Sequence, residues 1–562
     1  MTSELRRFLV GLSLGVALLL ALGGALLGGT RRPRADFAFA NQQEIESLDP
    51  AEATGVPSAR ILTALLEGLT RRDAAGRIQP GVAEHWSVSD DGLLWTFKLR
   101  DNATWSDGRP VLAEHMVGAL RRLLDPATAS RHAKLLWAVE GAEAYTSGTL
   151  SDFERVGLRS VGAHTVEIRL HRPLPTLPQV LAAPQLLPVP PGLPERLGRA
   201  WTRPENFVGN GPFLLVERRL RDRLRLVRNP NYWGAHEVGL ESVTAYSADG
   251  LTTQLNLYLT GVVDWIIKPP PTLVDELSAR EDLLTGAQFG TTFLRFNVHG
   301  APFTEDARPT PLSDPRVRTA LTLALDRDSL ARDVMRGGHE AINSFVPGGL
   351  PDYTPAVLPP CDPERARALL ADAGFPGGEG FPELRLLYPH NETNRDFCDA
   401  IATQWRRELG IDTRMVQQIW KVYLDSTRSG LYQVSWGAWI GDWLDAASFV
   451  EIFHSGSGDN RTGWHDTEFD DLITRASAAT DMDTRNTLTR AAEERLLQAL
   501  PIAPVYQRVN INLVSPRIAG WEDNLLDLHP LRDVRLADPS TGAANTGDAS
   551  PADSAPPRDD AR

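Results

Sequence analysis

The sequence predicts an α/β protein of several domains, built on a partly parallel sheet. Three observations carry this. At 562 residues the chain is longer than one hydrophobic core organises, so two to four domains are expected. Beyond residue 290, short apolar runs alternate with amphipathic helical stretches, the pattern of strands joined by crossover helices. A proline-rich segment at 173–194 and a change of composition near 290 mark domain borders.

Residues 37–67 read as strand, turn and helix. Ser47-Leu48-Asp49-Pro50 signals the turn, Ser58 caps the helix, and Ile61, Leu62, Leu65 and Leu66 form its apolar face before Gly68. Trp95, Phe97 and Leu99 alternate with Thr96 and Lys98, as in a half-buried strand. Trp105-Ser106-Asp107-Gly108 is a tight turn; a helix follows over about 113–124 and stops at Asp125-Pro126. Gly209-Asn210-Gly211-Pro212-Phe213 turns into a hairpin that ends at Asn229-Pro230-Asn231-Tyr232-Trp233. A strand is expected over 293–297, and Asp314 caps a helix with Pro315 at its first position. Helices are expected over 327–335, 363–373, 395–409 and most of 466–500, with strands over 384–388, 413–417 and 503–514.

The net charge of −14 argues against nucleic acid as a partner, and an acidic surface tolerates cationic or zwitterionic ligands. Cys361 and Cys398 have no second Cys or His at zinc spacing, so no metal site and no cofactor is expected; one disulfide or two free thiols remain open. No phosphate-binding loop, zinc-protease helix, nucleophile elbow or Ser-x-x-Lys pattern occurs, so nothing argues for catalysis. Arg6 and Arg7 precede an apolar run from Phe8 to Gly29, long for a signal-peptide core and long enough to cross a bilayer. Residues 1–35 are therefore a signal sequence or a membrane anchor, with Ala38-Phe39-Ala40 a possible cleavage site and everything after 35 exported. The tail at 539–562 is rich in Ala, Pro, Ser, Gly, Thr and Asp and is expected to be disordered.

One stretch stands out: Val434 to Trp443, V-S-W-G-A-W-I-G-D-W. Trp436 and Trp439 supply flat surfaces, while Gly437, Ala438 and Gly441 leave backbone bare for another chain to lie against. Asp442 sits among aromatics, where an unpaired charge is costly and a ligand ammonium would relieve it. The stretch is either a cleft wall of this kind or a tryptophan-rich core strand with Asp442 capping a turn.

The order of motifs resembles a known family. Ser47-Leu48-Asp49-Pro50, Leu66-Glu67-Gly68-Leu69, Pro80-Gly81-Val82-Ala83-Glu84, Trp95-Thr96-Phe97 and Trp105-Ser106-Asp107-Gly108 come first. Asp125-Pro126 through Ala129-Ser130, Gly209 to Phe213, Asn229-Pro230 with Tyr232-Trp233, and Asp314-Pro315-Arg316-Val317-Arg318 through Ala324-Leu325-Asp326-Arg327 follow. In this order, over roughly 37–530, they look like family 5 of the bacterial extracellular solute-binding proteins, the oligopeptide and dipeptide receptors of ABC importers. The resemblance implies a periplasmic binding protein fold (type II, cluster C). Two lobes close by a hinge, with lobe I at 37–66, 191–289 and 510–538, an extra domain at 67–190, and lobe II at 290–509.

The resemblance also implies a site. Asp442 matches the aspartate that pairs with a peptide's α-amino group. Ala438, Trp439 and Ile440, with Gly55 and Val56 across the cleft, match backbone that pairs with the peptide as added strands. Thr427 and Trp436 stand where arginines take the peptide carboxylate, with Arg428 adjacent; Asn394 matches a histidine of the same use, and His132 a pocket tyrosine. Gly290 and Ile440 match a cysteine pair. The candidate ligand-binding residues are thus Asp442, Trp439, Ala438, Ile440, Gly55, Val56, Trp436, Trp420, Arg428 and His132. The expected partners are a peptide and a membrane permease, for a monomer on the periplasmic or extracytoplasmic side, either free or tethered to the membrane by 8–29. A sugar, metal chelate or opine ligand, or a tethered sensory or chaperone-like role, are the alternatives.

Overall fold

The computed structural model describes residues 34–299, 311–441 and 443–538, so the apolar run at 8–29, Asp442 and the tail from 539 lie outside the described residues. The chain opens on β1 (Phe37–Ala40) and the helix Gly55–Leu65. Two small sheets follow: the hairpin of β2 (Thr70–Arg72) and β3 (Ile78–Pro80), and an antiparallel four-strand sheet. The latter runs in the order β4 (Ala83–Val88), β5 (Leu94–Leu99), β7 (Thr165–Arg169), β6 (Leu158–Ser160). The amphipathic helix Ala113–Leu124 buries Met116, Leu120 and Leu124 there. Then come the hairpin β8 (Phe213–Arg219) and β9 (Arg223–Arg228), β10 (Ser242–Tyr246) and β11 (Trp265–Ile267).

The second half adds β12 (Leu283–Phe296), β13 (Glu340–Ala341), β14 (Leu384–Pro389), β15 (Thr413–Gln418), β16 (Val434–Ile440) and β17 (Ile502–Val514). A short pair, β18 (Ile518–Ala519) and β19 (Arg535–Leu536), closes the described chain. One sheet runs β15-β14-β16-β12-β17-β11-β1-β10-β9-β8, with β13 also on β17. It is parallel at two places, β1 with β10 and β11, and β14 with β15 and β16, as the βα alternation predicts.

The long strands β12 and β17 join the two halves. Residues 283–287 pair with 513–509 beside β11, and 291–295 pair with 507–502 beside β16. Between Ala287 and Thr291 the register shifts, a bulge that lets the ribbon bend. The cores divide on either side. One cluster gathers Phe37, Leu65, Phe97, Leu120, Phe213 and Trp265, while Phe289, Leu294, Val317, Trp405 and Phe449 belong to clusters of the second half.

Several expectations change. Ser58 lies inside its helix, which starts at Gly55; Pro57 has no N–H to leave unbonded and so admits a start upstream. The strand expected over 293–297 begins at Leu283. The helix over 327–335 is a short α segment, Arg327–Ser329, continued by a π-helix, Leu330–Met335. Phe37 and Phe39, at the expected cleavage motif Ala38-Phe39-Ala40, are buried in β1, between β10 and β11. Both cysteines are free thiols, Cys361 exposed and Cys398 buried.

Three motifs that are far apart in sequence meet in one buried knot. Asn210 Oδ1 accepts from the Glu67 backbone N–H at 3.0 Å and its Nδ2 donates to the Glu67 carbonyl at 2.9 Å. The Glu67 carboxylate accepts from the Tyr232 hydroxyl at 2.5 Å and from Trp233 Nε1 at 2.6 Å, with Arg532 at 3.5 Å. Burial pushes the Glu67 carboxyl up from its ordinary range, against the lowering pull of Tyr232, Arg532 and Trp233. Gly211 packs so close that a Cβ would stand 2.6 Å from the Leu65 carbonyl carbon, and Asn229 Nδ2 holds the Gly211 carbonyl at 2.9 Å.

Candidate functional site: an open strand edge beside a tryptophan-walled cavity

β16 pairs antiparallel with β12 along its whole length, from Val434 opposite Phe296 to Ile440 opposite Gly290. Its other edge pairs with β14 only at Val434 and Ser435. From Trp436 to Ile440 no strand of the described residues covers that edge. The Gly441 N–H donates to the Phe289 carbonyl at 2.9 Å. By antiparallel alternation, the odd-numbered residues of β16 therefore aim their backbone groups at β12 and the even-numbered ones at the open edge. The Tyr423 hydroxyl donates to the Trp436 carbonyl, as this phase requires. The N–H and C=O groups of Ala438 and Ile440 face the same edge, Ala438 half-buried and Ile440 exposed.

The two glycines of the stretch serve a different purpose from the one expected. A Cβ on Gly437 would meet the Phe293 ring at 2.7 Å, and one on Gly441 the Phe289 ring at 2.4 Å. Both are buried, so they admit core aromatics rather than a ligand chain. Trp439 stands on the same face and donates from Nε1 to the Ser448 carbonyl at 2.9 Å. It walls a cavity of about 400 Å³ with Trp443, Glu451, His454, Asp459 and Ile473. Burial raises the Glu451 carboxyl, partly offset by Arg485.

Asp442 lies outside the described residues, but both of its flanks are fixed. Upstream, Gly441 is bonded to Phe289. Downstream, Leu444 donates to Gln179 Oε1 at 3.0 Å and accepts from Gln179 Nε2 at 3.2 Å, a reciprocal contact from the 67–190 region. Asp445 then pairs with Arg485 at 2.7 Å, both fully buried. Gly290 and Ile440, the positions matching a cysteine pair, are direct cross-strand neighbours, a Cβ on Gly290 standing 3.2 Å from Ile440 Cγ1.

The remaining candidates disperse. Trp420 is exposed and stacks on Tyr423, ring centroids 5.6 Å apart, so this pair flanks the open edge. Arg428 is exposed at the end of the helix Trp420–Arg428 and pairs with Asp425 at 4.0 Å. Trp436 packs against Leu387, Tyr423 and Tyr432, with its Nε1 buried and unpartnered. Gly55 and Val56 form the first turn of a helix, Gly55 at φ +76°, so they do not supply an extended strand as expected; the preceding Thr54 makes no side-chain cap. His132 Nε2–H donates to the Ala53 carbonyl at 3.0 Å, and burial lowers its pKa. This bond ties its loop to the segment before that helix. Sequence reasoning missed Tyr423, which carries no motif of its own, and Gln179, which lies 265 residues before its partner Leu444.

Comparison with known proteins agrees with this architecture. The model of the bacterial extracellular solute-binding proteins, family 5, matches residues 77–461. The periplasmic murein peptide-binding protein MppA of Escherichia coli is 33% identical over 493 residues, 86% of this chain and 89% of the relative. The unliganded open form of MppA superposes with a TM-score of 0.81 at 31% identity, over 91% of this chain and 99% of that one. Haemophilus influenzae OppA in complex with RPPGFSPFR gives 0.69 at 30% identity, over 90% of this chain and 99% of that one. The chain belongs to family 5 of the bacterial extracellular solute-binding proteins, with their two-lobed α/β fold.

Proposed function

We propose that this protein is the receptor of an ABC importer that captures peptides between its lobes and delivers them to a membrane permease. The observation that carries this reading is the uncovered edge of β16. It offers two full sets of backbone donors and acceptors, at Ala438 and Ile440, to an extended chain. Main-chain pairing is indifferent to side chains, and the relatives named for murein peptide and found with RPPGFSPFR favour a peptide as the occupant. In this reading lobe II spans 290–509 and lobe I comprises 37–66, 191–289 and 510–538, with the extra domain at 67–190. The β12/β17 bulge near 290 and 508 then serves as the hinge. The first-turn backbone of Gly55 and Val56 meets the ligand from lobe I. Asp442 takes the ligand's ammonium.

Titration calorimetry of the full chain with short peptides tests the last point. Asp442→Ala is expected to weaken binding by about 2–5 kcal/mol, the loss when one partner of a desolvated charge pair is removed. Unchanged affinity would remove Asp442 from the reading. A non-peptide solute is the second reading, favoured by Trp436 standing where a carboxylate-binding arginine is expected. Native mass spectrometry of the protein as purified separates the two, because a retained ligand is weighed directly.

A further inference from the structure

One corner of the second half holds more positive charge than its surroundings answer. Arg295, on β12, is nearly fully buried, and its one hydrogen-bond partner among the described side chains is the neutral Ser435 hydroxyl, Nη1 to Oγ at 3.2 Å. Its Nε is buried with no partner. Arg461 approaches from the loop after the cavity. Its Nη1 donates to Thr427 Oγ1 at 3.3 Å, and its Nη2 meets Asp459 at 3.3 Å, a carboxylate half exposed to solvent. Arg461 Nε is also buried and unpartnered. Tyr432 links the two, since its hydroxyl donates to the Arg461 carbonyl and its carbonyl accepts from Asn297 Nδ2, two residues beyond Arg295. Burial and the charge of Arg295 both depress the Arg461 pKa, as expected of like charges sharing a dry corner.

Two guanidiniums with unused donors and one weak counter-ion are an unstable arrangement unless an anion completes it. Asp459 also lines the cavity walled by Trp439, the residue between the two open-edge positions Ala438 and Ile440. Thr427 is the very residue that stands in place of a carboxylate-binding arginine, and Arg461 is bonded to it. We propose that Arg295 and Arg461 form a carboxylate subsite, replacing from other chain positions the arginines missing at Thr427 and Trp436. The ligand is then a peptide bearing an anionic group at this end, either its C-terminal carboxylate or an acidic side chain. This rests on the peptide reading above.

Calorimetry of the full chain with three probes tests it: trialanine, trialanine amide, and the amide of Ala-Ala-Glu. Trialanine or the glutamyl amide is expected to bind about ten- to a hundredfold more tightly than trialanine amide, and whichever does so identifies the source of the carboxylate. Arg295→Gln and Arg461→Gln should erase that preference, bringing the carboxylate-bearing probe down to the affinity of trialanine amide. Arg461→Lys should keep part of it. Thermal melts of the unliganded Gln variants should be no lower than wild type, because each removes a repelling buried charge. If no carboxylate adds affinity, or the preference survives both substitutions, or all three probes weaken together, the subsite is wrong. If none of the probes binds wild type, the peptide reading itself fails.

Discussion

Proline at position 438 is expected to cripple ligand capture and leave the fold standing, whereas proline at 439 should do the reverse first. The Ala438 N–H faces the open edge, so removing it breaks no bond to β12, and edge positions of this kind tolerate proline. The ligand loses a donor and meets a ring where it should lie flush. An unpaired ligand carbonyl alone weakens binding by about 1–3 kcal/mol, roughly five- to 150-fold, before the clash is counted. Trp439 instead directs its N–H at Thr291, inside the ladder, so Trp439→Pro removes a sheet bond and shows as a lower melting temperature. Calorimetry and thermal melts of the two variants, side by side, read the phase of β16. Equal effects of the two substitutions on binding and on stability would mean that the alternation is misassigned.

Glu67→Ala should produce the largest loss of stability of any single change in the motif knot. It removes the acceptor for the Tyr232 hydroxyl and Trp233 Nε1 and one counter-charge of Arg532, all within the first core. Glu237 still holds Arg532, so the orphaned groups are chiefly the tyrosine and tryptophan donors. Breaking a buried ionic network from one side costs about 3–5 kcal/mol. Glu67→Gln keeps the acceptor geometry and should cost about 1–2 kcal/mol. Urea unfolding monitored by tryptophan fluorescence checks both, and an alanine variant as stable as wild type would show that the knot contributes nothing.

The knot also shows why some of the fold was legible in sequence. Leu66-Glu67-Gly68, Asn210-Gly211-Pro212 and Asn229-Pro230 with Tyr232-Trp233 are weak motifs one by one. They close on each other in space, and each residue type answers a particular demand: a bare backbone against Leu65, an amide that pairs a whole peptide unit, a buried acid. Periodicity located the strands and helices, since Trp95, Phe97 and Leu99 or the face of 113–124 are buried as the pattern requires. It misjudged β12, where polar residues of the first half of the strand hide a continuous ribbon. The site was legible only in part. Val434 to Ile440 could be picked out by composition, but which backbone groups are free depends on how far β14 runs alongside, which no local pattern encodes. Gly437 and Gly441 were misread because their close neighbours, Phe293 and Phe289, come from a strand distant in sequence.

Amide hydrogen exchange at Ala438 and Ile440, with and without a short peptide, tests the central claim most directly. Pairing of a ligand strand with the open edge predicts that both amides exchange at least about tenfold more slowly when peptide is bound, while Trp439, already bonded to β12, changes little. Peptide binding that leaves the Ala438 and Ile440 amides as exposed as before would contradict it.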